Sequence, residues 1–247
     1  MSFAKRGLLP AVFGIAALFV AGCAMEPAKP IGASVVAQPD RSADDRKTDD
    51  RRKPAELVDF SGVQPGMTVL DMMAGGGYTT EVFARAVGPK GKVYAQLPPG
   101  RNQASLAERA KKPGINIVIA EAPIDSPVPA GVHDLDLITL ILNYHDITYL
   151  PVDRAKMNKA LFDGLKHGGA LIIVDHAAKA GVGVTVAKTL HRIEEATLIA
   201  EVEAAGFKKA AEGDFLRVPS DNHETPMSDV EKAGGHTDQF ALKFVKP

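Results

Sequence analysis

Short apolar runs rich in β-branched residues alternate with stretches of helical periodicity along most of this 247-residue chain. The runs have the length of buried strands, and apolar residues recur at helical spacing in the stretches between them. The predicted strands are 68–71, 92–96, 116–120, 135–142, 170–175 and 239–245. Strands that alternate with helices form a parallel sheet covered on both faces. The sequence therefore predicts an α/β fold with a Rossmann-like, doubly wound and mostly parallel sheet, ending in an antiparallel pair made by 207–211 and the final strand.

Composition limits the class of protein. Apolar residues make up 45% of the chain and charged residues 24%, which is ordinary for a soluble globular domain. The 29 Lys and Arg residues nearly balance the 30 Asp and Glu residues, so no overall field attracts a phosphate polymer. We therefore expect one domain of ordinary size and no nucleic-acid partner; the oligomeric state is left open.

The first residues have the features of an export signal. Lys5 and Arg6 precede an apolar run, residues 7–20, that is short for a membrane span. The run leads into Val20-Ala21-Gly22-Cys23, which resembles the lipobox of bacterial lipoproteins. This resemblance implies a signal peptide at 1–22, lipidation of Cys23, and a periplasm-facing lipoprotein in the bacterial envelope. The alternative is a plain signal peptide or an uncleaved anchor with a chance cysteine.

Two segments separate this signal from the predicted domain, which we place at 40–247. Residues 24–38 contain prolines and glycine without a sustained period, and we expect residues 23–39 to form the lipidated N-terminus and a flexible linker. Residues 40–53 mix acids and bases with almost nothing apolar. Their bases could form an anion-binding patch, but interleaved signs favour a solvated helix face laced with ion pairs.

A run of three glycines follows the first predicted strand. Gly75, Gly76 and Gly77 lead into a predicted helix at 79–87, which Thr79 or Thr80 could cap. In an open parallel sheet, ligands bind beyond the carboxyl ends of the strands, where a helix N-terminus offers free N–H groups. Glycine at this place lets the backbone approach a ligand. By itself, a triple glycine could equally be a structural turn.

Residues 69–79, Val-Leu-Asp-Met-Met-Ala-Gly-Gly-Gly-Tyr-Thr, resemble motif I of class I S-adenosylmethionine-dependent methyltransferases. The order of predicted units also resembles that family, and the likeness extends from about residue 53 to residue 247. Segments such as Asn143-Tyr144-His145-Asp146 resemble a group of exported bacterial predicted methyltransferases. The resemblance implies S-adenosylmethionine as the cofactor. The residues it implies for the cofactor site are Asp71, Ala74, Gly75, Gly76, Gly77 and Tyr78 toward the methionine part, and Glu121 toward the adenine.

The chain departs from this family at two positions. Met73 stands where the family usually has its first glycine. Leu97 stands where an acid at the end of the second strand normally holds the ribose hydroxyls.

Further polar residues follow the fourth and fifth predicted strands. Asn143 and His145 leave the fourth strand, and we expect them to project into the cleft as catalytic residues. His145 or His176 could serve as a general base, and the alternative is a histidine that only supports a loop. His145, Asp146, Asp175 and His176 have no recognised metal-ligand spacing, so we predict no metal site.

Other histidines lie elsewhere. His191 and Arg192 are expected at a helix end, and His223 and His236 fall in an irregular segment, 219–237. This segment is either a substrate lid, which we favour slightly, or a surface excursion without a role.

These features support two main hypotheses of function. The first is methyl transfer from S-adenosylmethionine to a small or envelope-associated acceptor, with the protein aligning the nucleophile and removing a proton. The second is a degenerate methyltransferase fold kept as a ligand- or partner-binding module, because the cofactor is made in the cytosol and a periplasmic lipoprotein has no evident supply. A metal-dependent hydrolase is the weakest reading.

Overall fold

The computed structural model describes residue 1 and residues 30–247. The predicted signal peptide after residue 1, and Cys23, lie outside the described residues. The helices are α1 (Gly32–Val36), α2 (Ala43–Arg52), α3 (Pro54–Ser61), α4 (Tyr78–Val87), α5 (Ala104–Ala110), α6 (Tyr144–Ile147), α7 (Arg154–Gly164), α8 (Ala187–Leu190), α9 (Glu195–Ala204) and α10 (Met227–Lys232). The strands are β1 (Thr68–Met72), β2 (Lys92–Leu97), β3 (Ile117–Glu121), β4 (Leu135–Ile141), β5 (Leu165–His176), β6 (Lys208–Gly213) and β7 (Gln239–Val245). Within residues 30–247, no helix is long and apolar enough to cross a membrane.

The seven strands form one sheet in the order β3-β2-β1-β4-β5-β7-β6. Strands β1 to β5 pair in parallel, and β7 runs antiparallel to both β5 and β6. The predicted mostly parallel sheet with an antiparallel final strand is therefore confirmed. The strand order reverses between β1 and β4, and an open α/β sheet binds its ligands at such a point.

Apolar side chains fill both faces of the sheet. On one face, Leu70 and Ile173 pack with residues of α7 and α9, such as Leu161 and Leu198. On the other face, Val69 and Ile172 pack with residues of α3 and α4. Alternate residues of one strand thus serve opposite layers, which explains why the central strands read as nearly continuous apolar runs.

The segment preceding the sheet differs from its prediction. Residues 30–38 were expected in a flexible linker, yet Gly32–Val36 forms α1, and Val35 is buried in the core that also contains Leu57. Gly32 makes this contact possible, because a Cβ there would lie 2.1 Å from the Ala55 carbonyl oxygen. The backbone N–H groups of Ile31 and Gly32 also donate to Asp59 Oδ1, each at 2.8 Å. The linker prediction is therefore wrong from about residue 31 onward.

Candidate functional site

A cleft of about 430 Å³ opens at the carboxyl end of β1, beside the point where the strand order reverses. Six of the residues proposed from the sequence line it: Asp71, Ala74, Gly75, Gly76, Tyr78 and Asn143. On the opposite side it is lined by α2, through Asp45, Thr48 and Arg52 among others. The sheet and the charged N-terminal helix thus enclose a single cavity, which we call the glycine-loop cleft.

Asp71 places a buried carboxyl group at the floor of this cleft. Its oxygens accept hydrogen bonds from Thr80 Oγ1 at 2.5 Å and Thr139 Oγ1 at 2.8 Å. Burial raises the pKa of Asp71 to about 6, while the two threonine hydroxyls oppose that shift. Thr80 therefore supports Asp71 and does not cap α4, whose N-cap is Gly77. A cationic ligand group beside this carboxylate would be weakly screened by water.

The glycines of the loop have different roles. Gly75 has a φ of 54°, and the nearest atom to a Cβ built on it is the Met73 carbonyl oxygen, at 3.9 Å, so Gly75 leaves space for a ligand. Gly77 is buried with a φ of 84°, and a Cβ there would lie 2.6 Å from Leu106 Cδ1. Gly77 is not among the residues that line the cleft. It therefore allows α5 to pack closely against the loop, in contrast to the cofactor contact implied by the resemblance.

Met73, which replaces the first glycine of the family pattern, also has a positive φ, 54°. The backbone thus keeps the left-handed conformation that glycine adopts easily, although a non-glycine residue is strained there. Its N–H donates to Gln96 Oε1 at 2.9 Å, and Gln96 Nε2 in turn donates to the Ala122 carbonyl. Buried Gln96 therefore holds the loop in shape despite the missing glycine.

Ion pairs hold α2 over the cleft. Arg109 of α5 makes two bonds to Asp45, at 2.6 and 2.7 Å, and a third to Glu81 at 2.7 Å. Asp49 accepts two bonds from Arg41, both at 2.6 Å, and one from the Tyr78 hydroxyl at 2.7 Å. Arg41 and Asp45 are both buried. The interpretation of 40–53 as a solvated helix face is therefore wrong for these residues: Asp45 pairs with Arg109 of α5, Asp49 accepts from Tyr78 of α4, and buried Arg41 pairs with Asp49.

Arg52 is the exception among the cations of α2. It lines the cleft, and its Nε is buried without a hydrogen-bond partner in the described part of the chain. Burial, and then neighbouring Arg51, lower the pKa of Arg52. A buried guanidinium donor without a partner is costly, and an anionic ligand group would relieve that cost. Arg52 is thus a cofactor-binding candidate that sequence reasoning left within a general basic patch.

A second space of about 430 Å³ continues from the glycine loop, lined by Gly75, Gly76, Leu97, Arg101, Asn102 and Ser105, among others. Leu97 is buried against Leu106 at the position where the family has an acid. Glu121 pairs with Leu97 in the sheet register, but it is exposed, accepts from Gln103 Nε2, and lines neither space. The polar groups of Arg101, Asn102 and Ser105 are therefore better placed than Glu121 to meet a nucleoside.

Asn143 and His145 separate in the structure. Asn143 lines the cleft and donates through Nδ2 to the Ile141 carbonyl at 2.7 Å. His145 does not line the cleft and is only 2% exposed, so the prediction that it projects into the cleft is wrong. Asp175 anchors it, at 2.6 Å from Nδ1 and at 2.8 Å from the backbone N–H. Burial lowers the pKa of His145, but the carboxylates of Asp175 and Asp146 outweigh burial and raise it to about 10.

Three further histidines and Arg192 also lie outside the lining of the glycine-loop cleft. His176 is buried, contacts Thr237 Oγ1 at 2.6 Å through Nδ1, and has a pKa lowered by burial to about 3, so it is neutral. His191 lies 3.3 Å from His145 Nε2, through its Nδ1. His223 contacts Asp238 at 3.1 Å. Arg192 is fully buried and bonds to Asp221 and to two backbone carbonyls.

A further cleft of about 540 Å³ lies beside the segment 214–237. Its lining includes the cations Arg51, Lys53 and Arg217, together with His236. Leu216 and Gln239 belong both to this cleft and to a narrow cavity lined by Arg52, Tyr78 and Thr79. This cleft, which we call the second cleft, therefore adjoins the glycine-loop cleft. It lies beside the segment that the sequence suggested as a substrate lid.

Comparisons with known proteins agree with this architecture. The sequence pattern of the protein-L-isoaspartate(D-aspartate) O-methyltransferase family matches residues 50–112. A ubiquinone/menaquinone biosynthesis C-methyltransferase of Hahella chejuensis is 27% identical over 186 residues, which cover 72% of this chain and 70% of that protein. The counterpart from Idiomarina loihiensis is 32% identical over 124 residues, 48% of this chain and 46% of that protein. The chain thus spans about half the length of the second relative.

Solved structures share the fold. A SAM-dependent methyltransferase from Aquifex aeolicus superposes with a TM-score of 0.60 at 19% identity, covering 87% of this chain and 98% of that one. The [4+2]-cyclase SpnF superposes with a TM-score of 0.59 at 18% identity, covering 83% and 82%.

Sheet order and the solved structures show the fold of class I S-adenosylmethionine-dependent methyltransferases, and the matched sequence pattern and the sequence relatives are those of methyltransferases. Two of the curated relatives to which the chain is similar are C-methyltransferases named for ubiquinone/menaquinone biosynthesis. The cofactor of such methyltransferases is S-adenosylmethionine, and the residues present fit it: Gly75 leaves space for a ligand, and Arg52 has a buried Nε donor without a partner among the described residues.

Proposed function

We propose that the protein transfers a methyl group from S-adenosylmethionine, held in the glycine-loop cleft, to an acceptor held in the adjoining second cleft. The observation that carries the proposal is that Arg52, whose buried Nε has no hydrogen-bond partner among the described residues, lines the same cavity as Asp71 and Gly75. One anionic and one cationic group on facing walls suit the amino and carboxylate groups of a methionine moiety. When bound, the cofactor supplies a methyl group on a positively charged sulfur.

The residues of this chain bind and orient, and they exclude water. Arg52 donates to the cofactor carboxylate, while Asp71 faces the amino group from a floor that Thr80 and Thr139 keep rigid. Helix α2 covers the cleft, so the electrostatic contacts work in a site of low dielectric. Asn143, held by its bond to the Ile141 carbonyl, presents its amide at the edge where an acceptor would approach. Alignment of this kind is the main contribution a methyltransferase makes to its reaction.

The acceptor that we propose is a small or envelope-associated molecule. The cations that line the second cleft are each paired with a carboxylate: Arg51 with Glu231, Lys53 with Asp50, and Arg217 with Glu195 and Glu212. The second cleft therefore presents charges of both signs to an acceptor. The C-methyltransferase relatives support an acceptor methylated at carbon, through the resemblance in sequence alone.

Replacement of Arg52 by glutamine tests the proposal. The variant should bind S-adenosylhomocysteine about 10- to 100-fold more weakly, because a charge-assisted hydrogen bond contributes about 1.5–3 kcal/mol. Arg51→Gln is the matched control, since Arg51 pairs with exposed Glu231 and does not line the glycine-loop cleft. Titration calorimetry of the wild type and both variants gives the comparison. Equal affinities of all three proteins for S-adenosylhomocysteine would contradict a role of Arg52 in cofactor binding.

The same titration separates the alternative function. A degenerate fold kept as a binding module predicts no measurable heat with S-adenosylmethionine or S-adenosylhomocysteine at millimolar concentration. Binding of the cofactor with the Arg52 dependence described above contradicts that alternative.

We further propose that Cys23 carries a lipid and that the domain faces the periplasm as an anchored lipoprotein. The support is the sequence Val20-Ala21-Gly22-Cys23 after an apolar run. Wild-type protein expressed in bacteria should incorporate labelled fatty acid and sediment with membranes. Cys23→Ser should incorporate none and either leave the membrane fraction or accumulate unprocessed. A wild-type protein without label contradicts the lipid anchor.

A further inference from the structure

Three side-chain donor atoms converge on one point beside the carboxyl ends of β4 and β5. They are Nε2 of His145, Oδ1 of Asp146 and Nδ1 of His191. His145 Nε2 lies 3.1 Å from Asp146 Oδ1 and 3.3 Å from His191 Nδ1, and His191 Nδ1 lies 3.2 Å from Asp146 Oδ1. The three atoms therefore form a nearly equilateral triangle. We propose that this triangle is the binding site of a divalent transition-metal ion, with Zn²⁺ as the ion that its spacing fits best.

The size of the triangle favours tetrahedral coordination. Nitrogen and oxygen ligands lie about 2.0–2.1 Å from Zn²⁺, so two ligands at a tetrahedral angle are about 3.3 Å apart. Ligands at the right angles of an octahedral ion of the same bond length would be only about 2.9 Å apart. The observed separations, 3.1–3.3 Å, lie closer to the tetrahedral value. Two imidazoles and one carboxylate are also ligands that zinc commonly takes.

The hydrogen bond between His145 and Asp175 also supports the proposed zinc site. Its Nδ1 lies 2.6 Å from a carboxylate oxygen of Asp175, which is fully buried, so Nδ1 carries the proton. The other ring nitrogen, Nε2, lies 3.1 Å from Asp146 Oδ1. A carboxylate bonded to the far nitrogen of a metal-binding histidine is the usual outer partner of a zinc site.

The surroundings of the other two ligands also fit. The Tyr149 hydroxyl donates to Asp146 Oδ1, which orients that carboxylate. His191 holds a φ of 51°, an uncommon conformation for a residue other than glycine, and it brings the imidazole toward α6. The side chains of His191 and Asp146 are 38% and 31% exposed, so an ion can reach them from solvent. Three protein ligands leave one position open, as in zinc sites that bind water or substrate.

Metal counting on the full-length chain tests the site. The protein is stripped with a chelator, mixed with one equivalent of Zn²⁺, separated by gel filtration and measured by atomic emission. Wild-type protein should retain one zinc ion per chain, and Co²⁺ in its place should give the intense visible absorption of a tetrahedral ion. Asp146→Asn and His191→Asn should each weaken zinc binding by about 100-fold or more, since loss of only an outer partner costs about 10–100-fold.

Matched controls separate the site from other ligands of the chain. His223 also has a positive φ, 61°, and a carboxylate neighbour, yet it lies outside the triangle, so His223→Asn should retain zinc. Cys23→Ser should retain it as well. Asparagine tolerates the left-handed conformation, so circular dichroism should show both histidine variants folded. If wild-type protein retains no zinc, or if His191→Asn retains as much as His223→Asn, the triangle is instead a cluster around a protonated His145, and the metal site is wrong. Cofactor titration is a separate measurement, so the two proposals can fail independently.

Discussion

Replacing Arg192 with leucine is expected to lower the free energy of unfolding by about 3–5 kcal/mol, the usual cost of removing one partner from a buried ion pair. The Arg192 side chain is 0% exposed, and that of its partner Asp221 is 3% exposed. The guanidinium makes two bonds to Asp221, at 2.6 and 3.0 Å, and donates to the carbonyls of Ala177 and Thr225. Asp221 also accepts from the backbone N–H of Asp238 at 2.7 Å. Arg192 therefore ties the segment 214–237 to the ends of β5 and β7.

Urea unfolding followed by circular dichroism measures this effect. Arg51→Leu is the control, because the Arg51–Glu231 pair is one-third exposed on each side and should contribute less than about 1 kcal/mol. The double variant Arg192→Leu with Asp221→Leu should be more stable than Arg192→Leu alone, since it removes the uncompensated charge. A loss below about 1 kcal/mol for Arg192→Leu would contradict the structural role assigned to this pair.

The second large effect concerns two glycines that the sequence presents as equivalent. Gly77→Val should destabilise the protein by about 3 kcal/mol, because it combines a positive φ with overpacking. A Cβ at Gly77 would lie 2.6 Å from Leu106 Cδ1 and 2.9 Å from Arg109 Cδ, and Arg109 also holds α2. A Cβ at Gly75 would lie 3.9 Å from the Met73 carbonyl oxygen, so Gly75→Val should cost only about 1–2 kcal/mol of backbone strain.

The two variants should differ in cofactor binding as well. Gly75→Val, which loses less stability than Gly77→Val, should nevertheless lose its binding of S-adenosylhomocysteine. A valine at Gly75 fills the floor of the cleft, so that variant should stay folded and lose detectable binding of S-adenosylhomocysteine. Urea unfolding and calorimetry on the two variants give both quantities. Unimpaired binding by folded Gly75→Val would contradict the role of this loop as the cofactor floor.

Much of the sheet could be predicted from the sequence, because buried strands are short apolar runs and the turns between them contain glycine and proline. The last strand, 239–245, has the bounds predicted for it. The N-terminal segment could not be predicted from local pattern. Residues 43–52 have almost no apolar face, and their placement depends on the pair between Asp45 and Arg109, which lies 64 residues later in the chain.

The residues of the candidate site also divide into those that the local sequence pattern predicts and those that depend on distant contacts. Asp71, Gly75 and Asn143 could be placed at one edge because parallel strands end together. His191 could not, since it approaches His145 only through the turn after α8, and no sequence spacing encodes a distance across 45 intervening residues. Arg52 was visible only as one of several bases. Its significance lies in a buried Nε without a hydrogen-bond partner in residues 30–247, which is a property of the folded chain.

Helix α2 differs from the other helices beside the sheet in the interactions that attach it. A ten-residue helix of charged residues has little stability of its own in water, and its attachment is ionic. It can therefore detach as a unit while the apolar layers stay intact, and such elements belong to the low-stability end of a protein's opening motions. Ligands that enter or leave the glycine-loop cleft past α2 should therefore exchange faster at higher ionic strength, because salt screens the ion pairs that hold this helix.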